Sequence, residues 1–369
     1  MMQKQYPFYL KGTIILLGLT LLIFALANLQ GTLIPLAFAV MVAILINPLV
    51  SRFERWRFGR TLSICIALAI TIILFVSIWY FIAMQLTIFS DELPLLKQRS
   101  SQLFTNFQTW VKTSFGIGSK KQSQYISELE GEIKPLVGQT MGSFLGILGN
   151  LTLLPVYIFL ILYYKTLLLN FFYEVFSANV KEVGGVLNET KIAVQSYMVG
   201  LLLEALAVAT LNSIALLILG VKYAVLLGVL GAILNLLPYL GGLIAIALPM
   251  IISLITKDGL STPLLIVGAY LVIQFIDNNF LVPFLVSSKV RINALFSIII
   301  VLLGGSLWGF AGMFLSIPFI GILKIIFDRI DDLKPWGKLL GDQIPTQSKH
   351  TFIFKRKSQK KSVAEEIVS

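Results

Sequence analysis

Long apolar runs constrain this chain more than anything else in it. Stretches at roughly 12–29, 32–50, 62–84, 141–164, 196–219, 223–255, 263–281 and 292–327 are almost free of charged side chains. A helix needs about 20 mostly apolar residues to cross the hydrocarbon core of a bilayer, and most of these runs meet or exceed that. The 369-residue chain is 57% hydrophobic and only 13% charged, about half the charged fraction of a soluble domain. A water-soluble core of this size has no room for so much apolar surface. The expected fold is therefore all-α, a polytopic transmembrane helical bundle of about eight spans.

The first run follows Lys4 and Lys11 and has the layout of a signal peptide. Its apolar stretch is longer than a usual signal core and further spans follow at once, so it is expected to remain as the first helix. Charge sets the topology. Arg52, Arg55, Arg57 and Arg60 follow the second run, and Lys349, Lys355, Arg356, Lys357, Lys360 and Lys361 lie near the C-terminus. Positive residues are retained on the cytoplasmic side. Lys4, Lys11, the arginine loop and the tail fall on one side if about eight crossings are made, which places both termini in the cytoplasm. The net charge of +11 is then a membrane signature, and no nucleic-acid partner is expected.

Residues 1–344 read as one transmembrane transporter domain, and 345–369 as a disordered basic cytoplasmic tail. Within the domain, 86–139 is polar and interrupted, and is expected outside as amphipathic helices on the membrane surface or a partner subunit. Segment 165–194 carries Val183, Val186, Leu187 and Val194 on one face and is expected as a cytoplasmic amphipathic helix.

Two runs are too long for a single span and are broken in the middle. The 223–255 unit contains Asn235-Leu236-Leu237-Pro238-Tyr239-Leu240-Gly241-Gly242 and then Pro249. The 292–327 unit contains Gly304-Gly305-Ser306-Leu307-Trp308-Gly309-Phe310-Ala311-Gly312 and then Pro318. Proline removes a backbone donor and glycine loosens the helix. The freed backbone groups cannot face lipid and must face protein or a wet cavity. Paired Gly/Pro-interrupted segments are the best sequence pointer to a transporter's central site, so both units are expected to be broken or re-entrant and to line the substrate pathway. The plainer alternative is close helix packing through small residues.

Ionisable residues inside spans are costly, about 2.5–3.5 kcal/mol each on insertion scales, and mark function. Glu204 lies in the fifth run, and Asp277 lies in Gln274-Phe275-Ile276-Asp277-Asn278-Asn279, just before Phe280-Leu281-Val282-Pro283. Asp277, Asn278 and Asn279 offer oxygens to a cation or a hydroxylated solute, or form an ordinary helix terminus. Glu204 and Asp277 are the candidates for proton or ion coupling. Asn212, Asn235 and Gln195 suit interhelical hydrogen bonds, and Lys324 and Asp328, four apart, an interfacial pair. The sole histidine, His350, is in the tail and the sole cysteine, Cys65, is in an apolar run. No disulfide, metal site or cofactor is expected, no enzymatic triad can be assembled, and no phosphate-binding Gly-rich loop for ATP is present.

The pattern Gln274-x-x-Asp277-Asn278-Asn279-x-x-x-Pro283, followed by Gly304-Gly305-Ser306-Leu307-Trp308-Gly309-x-x-Gly312-Met313 and Pro318, resembles the C-terminal signature of the autoinducer-2 exporter family, the PerM-like permeases. Leu237-Pro238-Tyr239-x-Gly241, Tyr197-x-x-Gly200, Leu219-Gly220-Val221 and Pro48-Leu49-Val50 extend the resemblance over most of 10–330. Ser287-Ser288, Asn293-Ala294 and Leu201 depart from it. The resemblance implies eight spans, a homo-oligomer (a pentamer) in the inner membrane, and export or exchange of autoinducer-2 or another small polar solute. Sodium (or lithium)/proton antiport is the alternative it leaves open, and a non-transporting scaffold a third reading.

Overall fold

A computed structural model of the chain describes residues 7–91, isolated positions between 94 and 114, and 153–236, 241–257, 259–286 and 292–342. The central part of the 86–139 segment and the tail beyond 342 lie outside the described residues. All regular structure among the described residues is helical, apart from one isolated bridge between Ile292 and Gly341.

Where they are described, the apolar runs coincide with helix. The elements are α1 (Phe8–Asn28), α2 (Gln30–Arg55), α3 (Arg60–Asp91), α4 (Leu154–Tyr163), α5 (Lys165–Val175), α6 (Val180–Ile218), α7 (Ala224–Asn235), α8 (Gly241–Thr256), α9 (Ser261–Ile276), α10 (Ala294–Arg329) and α11 (Lys334–Leu340). α9 passes directly into a π-helical segment, Asp277–Val286. Among the described residues, five helices are long and apolar enough to cross a membrane, and a sixth if α4 and α5, bent by 61° at Tyr164, form one span. The chain is a multi-pass membrane protein.

Its surface is inverted relative to a soluble bundle. Leu206, Ile218, Leu264 and Leu302 are exposed on the outside of their helices, while Glu204, Asn212, Asp277 and Ser316 are buried. Lipid solvates the first set, and the second must find partners inside the protein.

Three packed clusters hold the described helices together. α2, α3 and α4 meet around Ala39, Ala43, Ile46, Ile64 and Ile158. α2, α6 and α10 meet around Met41, Val194, Met198 and Leu315. α6 to α9 meet around Leu216, Leu227, Ile252 and Ile266.

α6 runs 39 residues without a break, about 58 Å at the rise of an α-helix, which is nearly twice a hydrocarbon core. Its charged residues Lys181, Glu182, Glu189 and Lys191 are confined to the first third, and Glu204 is the only ionisable residue after them. The segment 165–194 is thus divided between α5 and the first part of α6. At the other end α6 stops at a glycine turn. Gly220 has φ +62°, Val221 N–H donates to Leu216 O at 2.9 Å and Gly220 N–H to Leu217 O at 3.0 Å. This pair of bonds satisfies the last carbonyls and sends α7 back along α6.

The broken units both become hairpins. In the first, α7 and α8 have 12 and 16 residues, each too short to span alone. In the second, α10 doubles back at Trp308 and Gly309, where Gly309 has φ 58° and ψ −138°. The Ser316 hydroxyl lies 3.0 Å from Ile300 O and 2.6 Å from Gly312 O. A straight helix would separate residues 300 and 316 by about 24 Å, so the two arms of α10 run side by side.

Candidate functional site

α6 supplies one wall of the site. Tyr197, Leu201, Glu204, Val208 and Asn212 recur at intervals of three and four, forming a single stripe that is buried along its whole length. α7 ends at Asn235 opposite this stripe, and α8 begins beyond the break with Gly241 and Gly242. α9 and its π-helical extension bring Gln274, Asp277 and Asn278. The extension exists because Pro283 lacks an N–H and crowds the preceding turn, which loosens the ladder to wider spacing.

These elements enclose a cavity of about 520 Å³, within the range typical of small-molecule sites. Its polar lining is Glu204, Asp277, Asn235, Gln274, Asn278 and Tyr197, and its apolar lining includes Leu201, Ile246, Leu271 and Ile317. Among the described residues, no lysine or arginine lines it. Two carboxyl residues and three amide residues therefore line a space that the membrane otherwise excludes. Such a lining suits a neutral or positively charged hydrogen-bonding guest and repels anions.

Asp277 is 2% exposed. Its Oδ2 accepts from Asn235 Nδ2 at 2.8 Å and from Gln274 Nε2 at 3.5 Å, and Gln274 Nε2 also lies 3.4 Å from Asn278 Oδ1. The carboxylate thus ties the end of α7 to the α9 extension. Gly242 makes room for this: a Cβ there would overlap Gln274 Oε1 and approach Asn235 Oδ1 to 3.5 Å.

The sequence-predicted residues separate into three groups. Glu204, Gly242, Gln274, Asp277 and Asn278 come together around the cavity, with Gly241 at the start of α8 packed on the Leu234 carbonyl. Pro238 and Tyr239 lie outside the described residues. Asn279 turns away, donating to Phe275 O at 2.8 Å, and Pro283 is not part of the lining. The second break is set apart. Gly304 and Gly312 contact each other across the α10 hairpin, Gly305 packs on Met313, and Gly309 makes the turn. Gly304 and Gly312 border a different cavity of about 750 Å³, lined mostly by apolar side chains, between α1, α2, α6 and α10. Trp308 fastens α1 to its edge by donating to Leu26 O at 3.0 Å.

Tyr270 and Tyr197 carry more of the site than their positions inside apolar runs suggest. Tyr197 lines the cavity, and Tyr270 sits behind Asp277. Tyr197 entered the sequence reading only through the Tyr197-x-x-Gly200 resemblance, and the only signal for Tyr270 was a hydroxyl in a lipid-length helix.

Outside the membrane-length core, α6 and α10 are joined by a forked ion pair. Arg329 Nη2 lies 2.5 Å from Glu189 Oε1, and Arg329 Nε lies 3.3 Å from Oε2. Beyond it, Lys334 Nζ stands 2.6 Å from Asp331 Oδ1, which holds that exposed carboxyl below the usual carboxylate range.

A broken hairpin, a π-helical extension and an acidic cavity are thus combined within one multi-pass bundle. The model of the AI-2E family transporters matches residues 13–332. The chain belongs to the AI-2E family. AI-2 transport protein TqsA of Escherichia coli is 25% identical over 343 residues, covering 90% of this chain and 97% of that protein. YueF of Bacillus subtilis, provisionally named a transport protein, is 26% identical over 314 residues, 80% of this chain and 83% of its own length. PerM of Escherichia coli, provisionally named a permease, is 28% identical over 196 residues, 52% and 56% of the two chains. AI-2E membership makes this a member of a transporter family. These names give the sodium/proton antiporter alternative no support.

Proposed function

We propose that this AI-2E family member moves a small, neutral, hydroxylated solute across the cytoplasmic membrane, with both termini on the cytoplasmic side, and that the 520 Å³ cavity is where the solute binds. The observation that carries this reading is the lining. Glu204, Asn235, Gln274 and Asn278 meet there at a break between two half-length helices, and none of the described lining residues is basic. The acceptors and amide donors match sugar-like hydroxyls, and the carboxyl groups of Glu204 and Asp277 disfavour a carboxylate or phosphate guest. TqsA is named for AI-2 transport, so AI-2 is the first solute to try. Alternating access would come from movement of the α7–α8 hairpin against α6, as broken helices do in other secondary transporters.

The test is flux in proteoliposomes loaded with AI-2 or a small polyol. A hydrogen bond to a charged group contributes about 1.5–3 kcal/mol, so Glu204→Gln should weaken solute binding roughly 10- to 100-fold, with Gln274→Leu acting in the same direction. Wild-type flux of both variants would sink this assignment of the cavity. Flux no higher than in protein-free vesicles for every hydroxylated solute would sink the solute class.

A further inference from the structure

Adjoining the solute cavity, with which it shares Asn235, Gly242, Gln274 and Asp277, lies a second and much smaller chamber. Its volume is about 10 Å³, and its polar lining is Asn212 from α6, Asn235 from α7, and Tyr270, Gln274 and Asp277 from α9 and its extension. Three atoms of these residues have no hydrogen-bond partner among the described residues: Asn212 Oδ1, Tyr270 OH and Asp277 Oδ1. All three residues are nearly sealed, at 2%, 4% and 2% exposure. A buried polar atom left unpaired costs about 1–3 kcal/mol. Three of them around one chamber is a large cost concentrated in a single place.

The donor and acceptor count decides what the chamber takes. Asp277 Oδ1 and Asn212 Oδ1 are acceptors, and the Tyr270 hydroxyl supplies one donor. One water molecule accepts from Tyr270 and donates to the other two, so it makes three hydrogen bonds, the usual number for buried water. A chamber of roughly this volume is about the smallest that holds one. An alkali cation would serve the two acceptors but would face the Tyr270 hydroxyl hydrogen or leave it competing for the same oxygens.

We propose that Asn212, Tyr270 and Asp277 form a dedicated site for one buried water molecule. The water completes the coordination of Asp277. Oδ2 is held by Asn235 and Gln274, and Oδ1 by the water, which also reaches α6 through Asn212. Asp277 is thereby committed to clamping α6, α7 and α9 together, and Glu204 is the carboxyl left to meet the solute. The water site does not depend on the identity of the solute: of its three residues only Asp277 also borders the larger cavity.

The test is a density map of the full chain in lipid nanodiscs, at a resolution that shows ordered water, with sodium replaced by choline. The expected result is one peak about 2.7–3.2 Å from all three atoms. Tyr270→Phe and Asn212→Leu should each lower the melting temperature by roughly 2–4 °C, and the double variant by less than the sum, because both lose the same water. A map in which the three atoms bond to one another with no peak between them overturns the proposal, whatever the variants do. So does a peak that requires sodium, accompanied by a melting temperature that rises when sodium replaces choline.

Discussion

The turn in α10 can be tested by two substitutions that add the same methyl group for different reasons. At Gly309 an added Cβ would meet nothing within 4 Å, so space is not the difficulty. The backbone is: φ 58° with ψ −138° is a conformation that L side chains avoid, at a cost of about 1–3 kcal/mol. At Gly312 the opposite holds. An added Cβ would overlap the Gly304 carbonyl oxygen on the facing arm and approach Trp308 Cβ to 3.0 Å. The arms must then separate, and overpacking of this kind costs about 1–3 kcal/mol. Gly268→Ala is the control, since that position in α9 has open space and a helical alanine is favoured over glycine by about 1 kcal/mol. Thermal unfolding in detergent, followed by tryptophan fluorescence, should show Gly309→Ala and Gly312→Ala each losing roughly 2–10 °C while Gly268→Ala loses nothing. Equal behaviour of all three would mean that residues 294–329 form a continuous helix and that the arms never meet.

Asn235→Leu removes the closer donor to Asp277 Oδ2 and should destabilise the protein by about 1–3 kcal/mol; unchanged denaturation would show that Asp277 has another partner. Arg329→Ala breaks the fork to Glu189, whose side chain is about half exposed. Its loss should be at most about 1 kcal/mol and should shrink in 1 M salt; a larger, salt-insensitive loss would mean that the pair is buried in an assembly.

The bundle was legible because lipid imposes one rule on every residue of a spanning helix. Run length alone located α1 to α3, α6, α9 and α10, since an apolar stretch of that length has no other solvent. The two breaks were legible too, because Asn235 to Gly242 and Gly304 to Gly312 interrupt runs that are otherwise uniform. What the runs could not convey was which way the chain goes at a break. Gly309 permits a kink or a full reversal equally well, and only contacts between residues 16 apart, such as Ser316 with Ile300, distinguish them. For the same reason two breaks of similar composition read as partners in one pathway, yet one borders an acidic cavity and the other an apolar one. Their surroundings come from other helices: α6 carries Glu204 to the first, whereas α1 and α2 bring Leu26, Leu36 and Val40 to the second. The role of Asp277 was obscured by sequence neighbours. Asn278 and Asn279 suggested a shared ligand face, but in the structure Asp277 points inward to Asn235, while Asn279 bonds its own backbone. Its closer partner sits 42 residues back in α7, where a polar side chain in an apolar run was visible but its distance from Asp277 was not. A stripe of polar residues at helical spacing along a spanning helix, here Tyr197, Glu204 and Asn212 on α6, is the part of such a site that one chain can disclose unaided. It marks the face that must be met by other polar groups, and the breaks in neighbouring helices mark where those groups are set free.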